Sequence, residues 1–155
     1  MGEQVRWTGD WVLSVGRGGA LVALSANLAN LLDRAPGRTA KVAVGWWTVL
    51  LIGTLLLGEV AMEAMVWTTI PVAAVVGVLR YELREQLMLG DTGVNPLGAS
   101  LGLGTVVLVP AVTEWVVLAV VAALNIASER ISFSAVIDSV APLRRLDRMG
   151  SPYRS

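Results

Sequence analysis

The chain contains no cysteine and no histidine. The first absence excludes a disulfide framework, thiolate metal sites and cysteine nucleophiles. The second removes the commonest metal ligand and general base. Charge is also scarce, at 15% of residues, and evenly divided between twelve Lys and Arg and twelve Asp and Glu. A net charge of zero carries no sign of a nucleic-acid partner. Any chemistry must therefore come from carboxylates, Lys, Arg, hydroxyls or the backbone.

What the chain does have is apolar surface: 55% of its residues are hydrophobic and its mean hydropathy is +0.67. A length of 155 residues suits one soluble domain, but this composition belongs to a chain that sits in lipid. A span needs about 20 mostly apolar residues to cross a hydrocarbon core of roughly 30 Å. Runs poor in charge predict a single all-α, polytopic membrane domain with spans at about 11–32, 42–57, 61–80, 96–109 and 112–128, followed by a tail at 129–155. As one helix, the stretch from Pro96 to Ser128 would extend about 50 Å at 1.5 Å per residue, too long for one crossing, so it is expected to fold back at Pro110 and Glu114. Gly58 and Glu59 mark the turn between the second and third spans. No secretory cleavage pattern opens the chain, so the first span is expected to remain in the mature protein.

Basic residues cluster in alternate connections: Arg34, Arg38 and Lys41 after span one, Arg80 and Arg84 after span three, and Arg130, Arg144, Arg145, Arg148 and Arg154 after span five. By the positive-inside rule these face the cytosol, which places the N-terminus outside, the C-terminus inside and the protein in the plasma membrane. Trp7, Trp11 and Trp115 then fall near the outer interface, and Trp46 and Trp47 near the inner one. In the tail, Phe133, Val136, Ile137, Val140, Leu143 and Leu146 recur at helical spacing, with Ser132 placed to cap. This predicts an amphipathic helix kinked by Pro142, lying on the inner leaflet or packed on the protein's own loops.

Two cytosolic loops could carry chemistry. The first reads Asn30-Leu31-Leu32-Asp33-Arg34-Ala35-Pro36-Gly37-Arg38, with Lys41 close behind; the second reads Leu89-Gly90-Asp91-Thr92-Gly93-Val94-Asn95-Pro96-Leu97-Gly98. Asn95 before Pro96 looks like an N-cap with Pro at the first helical position, so a helix is expected to start there. Gly90, Thr92 and Gly93 just ahead of it can form a nest of N–H groups for phosphate oxygens, and Arg34, Arg38 and Lys41 can add positive charge. Asp91 beside such a site is placed to share a Mg²⁺, which takes one or two carboxylates plus phosphate and water. The plainer alternative is that Asp-Thr-Gly is an ordinary turn and the basic residues only anchor the topology by snorkelling.

At these two loops the chain resembles the polyprenyl-phosphate N-acetylhexosamine-1-phosphate transferases, which include the phospho-N-acetylmuramoyl-pentapeptide transferase of peptidoglycan synthesis. Asn30-Leu-Leu-Asp33 is similar to the family's Asn-Leu-x-Asp motif, and Gly90-Asp91-Thr92-Gly93 with Leu97-Gly98 to its Gly-Asp-x-Gly-Ser loop and small-residue helix. Asp33 to Arg38 and the tail from Glu129 to Gly150 resemble bacterial relatives with an Asp-x-x-Pro-Gly-Arg loop. The resemblance implies transfer of a sugar-1-phosphate from a UDP-sugar to membrane polyprenyl phosphate, with Mg²⁺, at the cytosolic face. It implies that Asp91 is a metal ligand, Asp33 a catalytic carboxylate and Asn30 a residue that orients the loop.

The chain departs from the family in three places. It has no Asp-Asp pair, it cannot have the histidine-containing loop, and Pro36 stands where many members carry a second aspartate. It therefore looks like the C-terminal half of a member, needing a second polypeptide to supply the missing aspartates. The alternative is a non-catalytic membrane scaffold, or a module that binds nucleotide sugar or lipid phosphate. A transporter is less favoured, because no charge is placed at mid-membrane. Arg17 is expected to snorkel outward, Glu63 and Glu114 to be solvated, Asn27 and Asn125 to hydrogen-bond between helices, and Gly98 and Gly102 to form a tight G-x-x-x-G helix contact.

Overall fold

The computed structural model describes the backbone of residues 9–57 and 62–152, and the side chains of residues 11–56 and 65–152. The Gly58–Glu59 turn, the Glu63 side chain, Trp7 and Arg154 lie outside the described residues. The chain is all helical: α1 (Gly9–Leu32), α2 (Arg38–Leu57), α3 (Met62–Leu83), α4 (Gly90–Leu108), α5 (Ala111–Ser128), α6 (Phe133–Ser139) and α7 (Ala141–Arg148). Four of these, at Trp11–Leu32, Arg38–Leu56, Met65–Leu83 and Ala111–Ser128, are long and apolar enough to cross a membrane. This is the architecture of a polytopic all-α membrane protein. Hydrophobic side chains cover much of the outer surface, among them Leu56, Trp67, Val112 and Ile126. In water so large an apolar exterior would drive association; against hydrocarbon it costs nothing.

The fifth long helix, α4, is the packing hub: α1, α2 and α3 all lie against it. Its 19 residues extend about 28 Å at 1.5 Å per residue, and Val94, Leu97, Leu101, Thr105 and Leu108 are buried among its neighbours. Glycines permit the approach. A Cβ at Gly98 would stand 2.5 Å from the Ser25 carbonyl oxygen and 2.8 Å from the Ala29 methyl, and one at Gly102 would stand 2.9 Å from Val22 Cα. The Gly98–Gly102 pair is thus the expected close helix contact, and its partner is α1. Without a hydrophobic driving force between helices in lipid, such close packing and interhelical hydrogen bonds provide the association energy.

Those hydrogen bonds run across the bundle. Asn27 Nδ2 on α1 donates to Asn125 Oδ1 on α5 at 2.6 Å, and Asn125 Nδ2 donates to the Leu24 carbonyl at 3.1 Å. Trp46 Nε1 donates to Thr105 on α4 and Trp47 Nε1 to Thr69 on α3, each at 3.0 Å. The tryptophan pair, about 12 Å along α2 from Arg38, therefore ties α2 to α4 and to α3.

Two features of the sequence reading change. α4 starts at Gly90, so Thr92, Gly93, Asn95 and Pro96 lie within it and Asn95 is not its N-cap. The tail is two short helices rather than one. Ser132 caps α6 by accepting from the Ala135 N–H at 3.4 Å, and the break comes at extended Val140, with Pro142 in the first turn of α7. The expected turn near Pro110 is present between α4 and α5.

Candidate functional site

The C-terminal end of α1 and the N-terminal end of α4 meet at one end of the bundle. Asp33 follows α1 by one residue, and its Oδ2 accepts a hydrogen bond from the Gly90 N–H at 3.2 Å across 57 positions of sequence. Gly90 has φ +61, a backbone conformation that glycine takes without a Cβ penalty. A helix N-terminus offers unpaired N–H groups and a partial positive charge. α4 has no local side-chain cap, and Asp33 supplies the carboxylate from elsewhere in the chain. Asp91 lies exposed in the first turn of α4, a second negative charge at the favourable end of the helix dipole.

Burial pushes the Asp33 carboxyl above its ordinary value of 3.8. The Gly90 N–H acts in the opposite direction, and the neighbouring Asp91 charge adds to the rise. A third carboxylate completes the group: Glu82, in the last turn of α3, is 1% exposed and within electrostatic reach of Asp33 and Lys41. Its Oε2 is buried with no hydrogen-bond partner among the described residues. Glu82 was absent from the sequence-based candidates. Its only signal was an acid at the end of an apolar run, in the turn facing the Asp33 loop.

The basic residues divide. Arg34 is exposed beside Asp33. Arg38 is 3% exposed, and its guanidinium forks onto Asp147 of α7, Nε to Oδ1 at 2.7 Å and Nη2 to Oδ2 at 3.0 Å. Its Nη1 donates to Ser134 of α6 at 2.9 Å, and Lys41 Nζ donates to the Asp147 carbonyl at 2.6 Å. Arg38 and Lys41 thus hold the tail against the start of α2. Gly37, at φ +70, lies where a Cβ would meet the Leu83 side chain, which lets the loop close on α3. Asn30 is half-buried and offers its carbonyl to the Asp33 N–H at 3.1 Å, fixing the turn that presents Asp33. Thr92 is exposed and Gly93 half-buried on the first turns of α4.

Next to this polar end opens an apolar groove of about 430 Å³ between α1, α2, α4 and α5. Leu32 and Thr39, the sequence neighbours of Asp33 and Arg38, are among its lining residues, together with Leu101, Val117, Val121 and Leu124. The arrangement sets a carboxylate cluster at a helix N-terminus near an apolar groove.

At the opposite end, Arg17 does not snorkel and Glu114 is not solvated. Arg17 Nη2 pairs with Glu114 Oε2 at 2.8 Å, the Glu114 side chain is 3% exposed, and the Arg17 guanidinium lies 5.3 Å from the Trp115 ring centroid. The pair joins within the bundle two charges that were each expected to reach water.

Comparison of the chain with protein-family models, with curated proteins and with solved structures gives no match. The residues themselves therefore carry the functional argument. Among the described residues no three acidic, His or Cys side chains form a group able to hold a metal. Asp33 and Asp91 provide two carboxylates, a donor set that suits Mg²⁺ once phosphate oxygens and water complete its six positions.

Proposed function

We propose that the chain is half of a sugar-1-phosphate transferase, acting on a UDP-sugar and membrane polyprenyl phosphate and completed by a second polypeptide that brings further carboxylates. One observation carries this reading: Asp33 reaches Gly90, so the two loops that resemble the transferase family's motifs meet at one end of the bundle, next to Leu32 and Thr39 of the apolar groove. The polar end is assigned to the cytosol, where UDP-sugars occur, on the strength of the Lys and Arg distribution.

In this reading the groove takes the hydrocarbon of the polyprenyl chain, whose phosphate then lies at Leu32 and Thr39 within reach of the Asp33 loop. Asp33 and Asp91 would hold Mg²⁺, which would supply positive charge to the substrate phosphates. The α4 N-terminus attracts the same phosphate oxygens through its free N–H groups, and exposed Arg34 adds positive charge to the approach. Asn30 keeps the Asp33 turn in place.

The test is Mg²⁺-dependent UMP release from UDP-N-acetylhexosamine in the presence of polyprenyl phosphate, first with the chain alone and then with its neighbouring gene product. The expected result is turnover only in the mixture, lost in Asp33→Asn and in Asp91→Asn. Turnover unchanged by both substitutions would remove their roles. A non-catalytic module for nucleotide sugar or lipid phosphate is the second reading, motivated by the missing Asp-Asp pair in the sequence. It is distinguished by UDP-sugar binding that never proceeds to UMP in any mixture.

A further inference from the structure

The tail has a second face, unrelated to the carboxylate cluster. Asp147 points at Arg38 and fixes the rotation of α7. At about 100° per residue, Arg144, Arg148 and Arg145 then fall on one flank of the helix and Leu143 and Leu146 on the other. Leu143, Leu146 and Met149 are 43%, 57% and 61% exposed, and Ile131, Val136 and Val140 continue the apolar surface along the tail. Arg144, Arg145 and Arg148 with Met149 bound an open cleft of about 390 Å³.

The charges on this face are only partly answered among the described residues. Arg144 Nη1 donates to the Asp138 carbonyl at 2.9 Å, and Arg148 reaches the Asp138 carboxylate at 3.5 Å with both side chains more than 40% exposed. Among the described residues Arg145 has no side-chain hydrogen-bond or ion-pair partner. Asp147, the one acid of α7, is turned to Arg38. The tail therefore shows net positive charge and bare hydrocarbon together, and α6 begins five positions after the last residue of α5.

We propose that α7 binds the anionic surface of the lipid leaflet next to the bundle. Leu143 and Leu146 enter the acyl boundary, and Arg144, Arg145 and Arg148 take phosphate oxygens of acidic lipid headgroups into their cleft. Neither chemistry alone selects this occupant. A soluble acidic partner would leave the leucine flank in water, and a neutral membrane would leave the arginines unpaired; an interfacial helix with a basic flank satisfies both. The site does not depend on the transferase reading.

The absence of cysteine makes the test direct. Leu146→Cys in the full chain provides one attachment point for an environment-sensitive fluorophore, read in nanodiscs of phosphatidylglycerol with phosphatidylcholine and of phosphatidylcholine alone. The expected result is protection from a water-soluble quencher in the acidic discs, weakened by salt and lower in the neutral ones. Arg144→Gln and Arg145→Gln should each reduce the embedded-to-exposed ratio roughly fivefold, while Arg145→Lys retains it. Equal quenching in the two lipids overturns the proposal. So does protection in lipid-free detergent by inorganic phosphate or by an added acidic protein, because either would show that the cleft reads phosphate or a partner rather than a leaflet. Unchanged helical circular dichroism in the Gln variants excludes loss of the fold as the cause.

Discussion

Truncating Arg38 or Asp147 takes the forked ion pair from a buried charge, because both side chains are no more than 4% exposed. Each single alanine variant should lose about 3–5 kcal/mol of local stability, while replacing both residues with apolar side chains should restore much of it. Protease resistance of the tail in detergent checks this, since the pair clips α7 to α2. Asp33 behaves in the opposite sense. Its carboxyl titrates above 3.8 in the folded chain, so folding favours the protonated form. The cost of its charge is fully present above the raised value and disappears as pH falls through that value towards 3.8. In buffer free of divalent cations, Asp33→Asn should therefore be the more stable protein near neutral pH, with the advantage vanishing in acid. Thermal melts across pH measure this, and a wild-type advantage at neutral pH would contradict it.

Helix packing was legible as a pattern but not as a set of partners. The Gly98-x-x-x-Gly102 spacing announced a tight contact, yet nothing in it named Ser25, Ala26 and Ala29 of α1 as the surface met. Gly98→Ala should destabilise the bundle by about 1–3 kcal/mol, because its methyl would press on the Ser25 carbonyl, a backbone atom that cannot rotate away. Gly45→Ala, where a Cβ meets nothing within 4 Å, should be neutral or gain about 0.5–1 kcal/mol from helix propensity. Unfolding in detergent with rising denaturant compares the two. The start of α4 shows why local signals can mislead. Asn95-Pro96 has the residues of a cap and first turn, but the Asp33 carboxylate reaches Gly90 and Asp91 complements the dipole, so the helix gains nearly two turns before the proline. Pro96 removes one N–H from the helix and faces outward, where its ring meets little resistance.

At the scale of the whole molecule, the groove is the feature on which lipid binding would depend. Val120→Trp should narrow it from the α5 side and weaken polyprenyl-phosphate binding several-fold without disturbing Asp33 or Gly90, as read by native mass spectrometry and helical content. An unchanged affinity would separate the groove from the lipid. The far end makes a complementary point: Arg17 and Glu114 lie 97 positions apart, each readable alone as an interfacial charge, and only their meeting makes them one buried pair.

Hydrophobic run length and the scarcity of charge were enough to specify helices and membrane, because burying apolar surface and satisfying the backbone internally are requirements that each segment meets by itself. Asp33 and Asp91 could be singled out in the same way, from glycine and charge at the segment ends. Which side chains oppose one another is a different kind of property, fixed by helix rotation and depth. That is why the Asp147 clip on Arg38, the orphaned Glu82 oxygen and the Arg17–Glu114 pair emerged only when the helices were assembled.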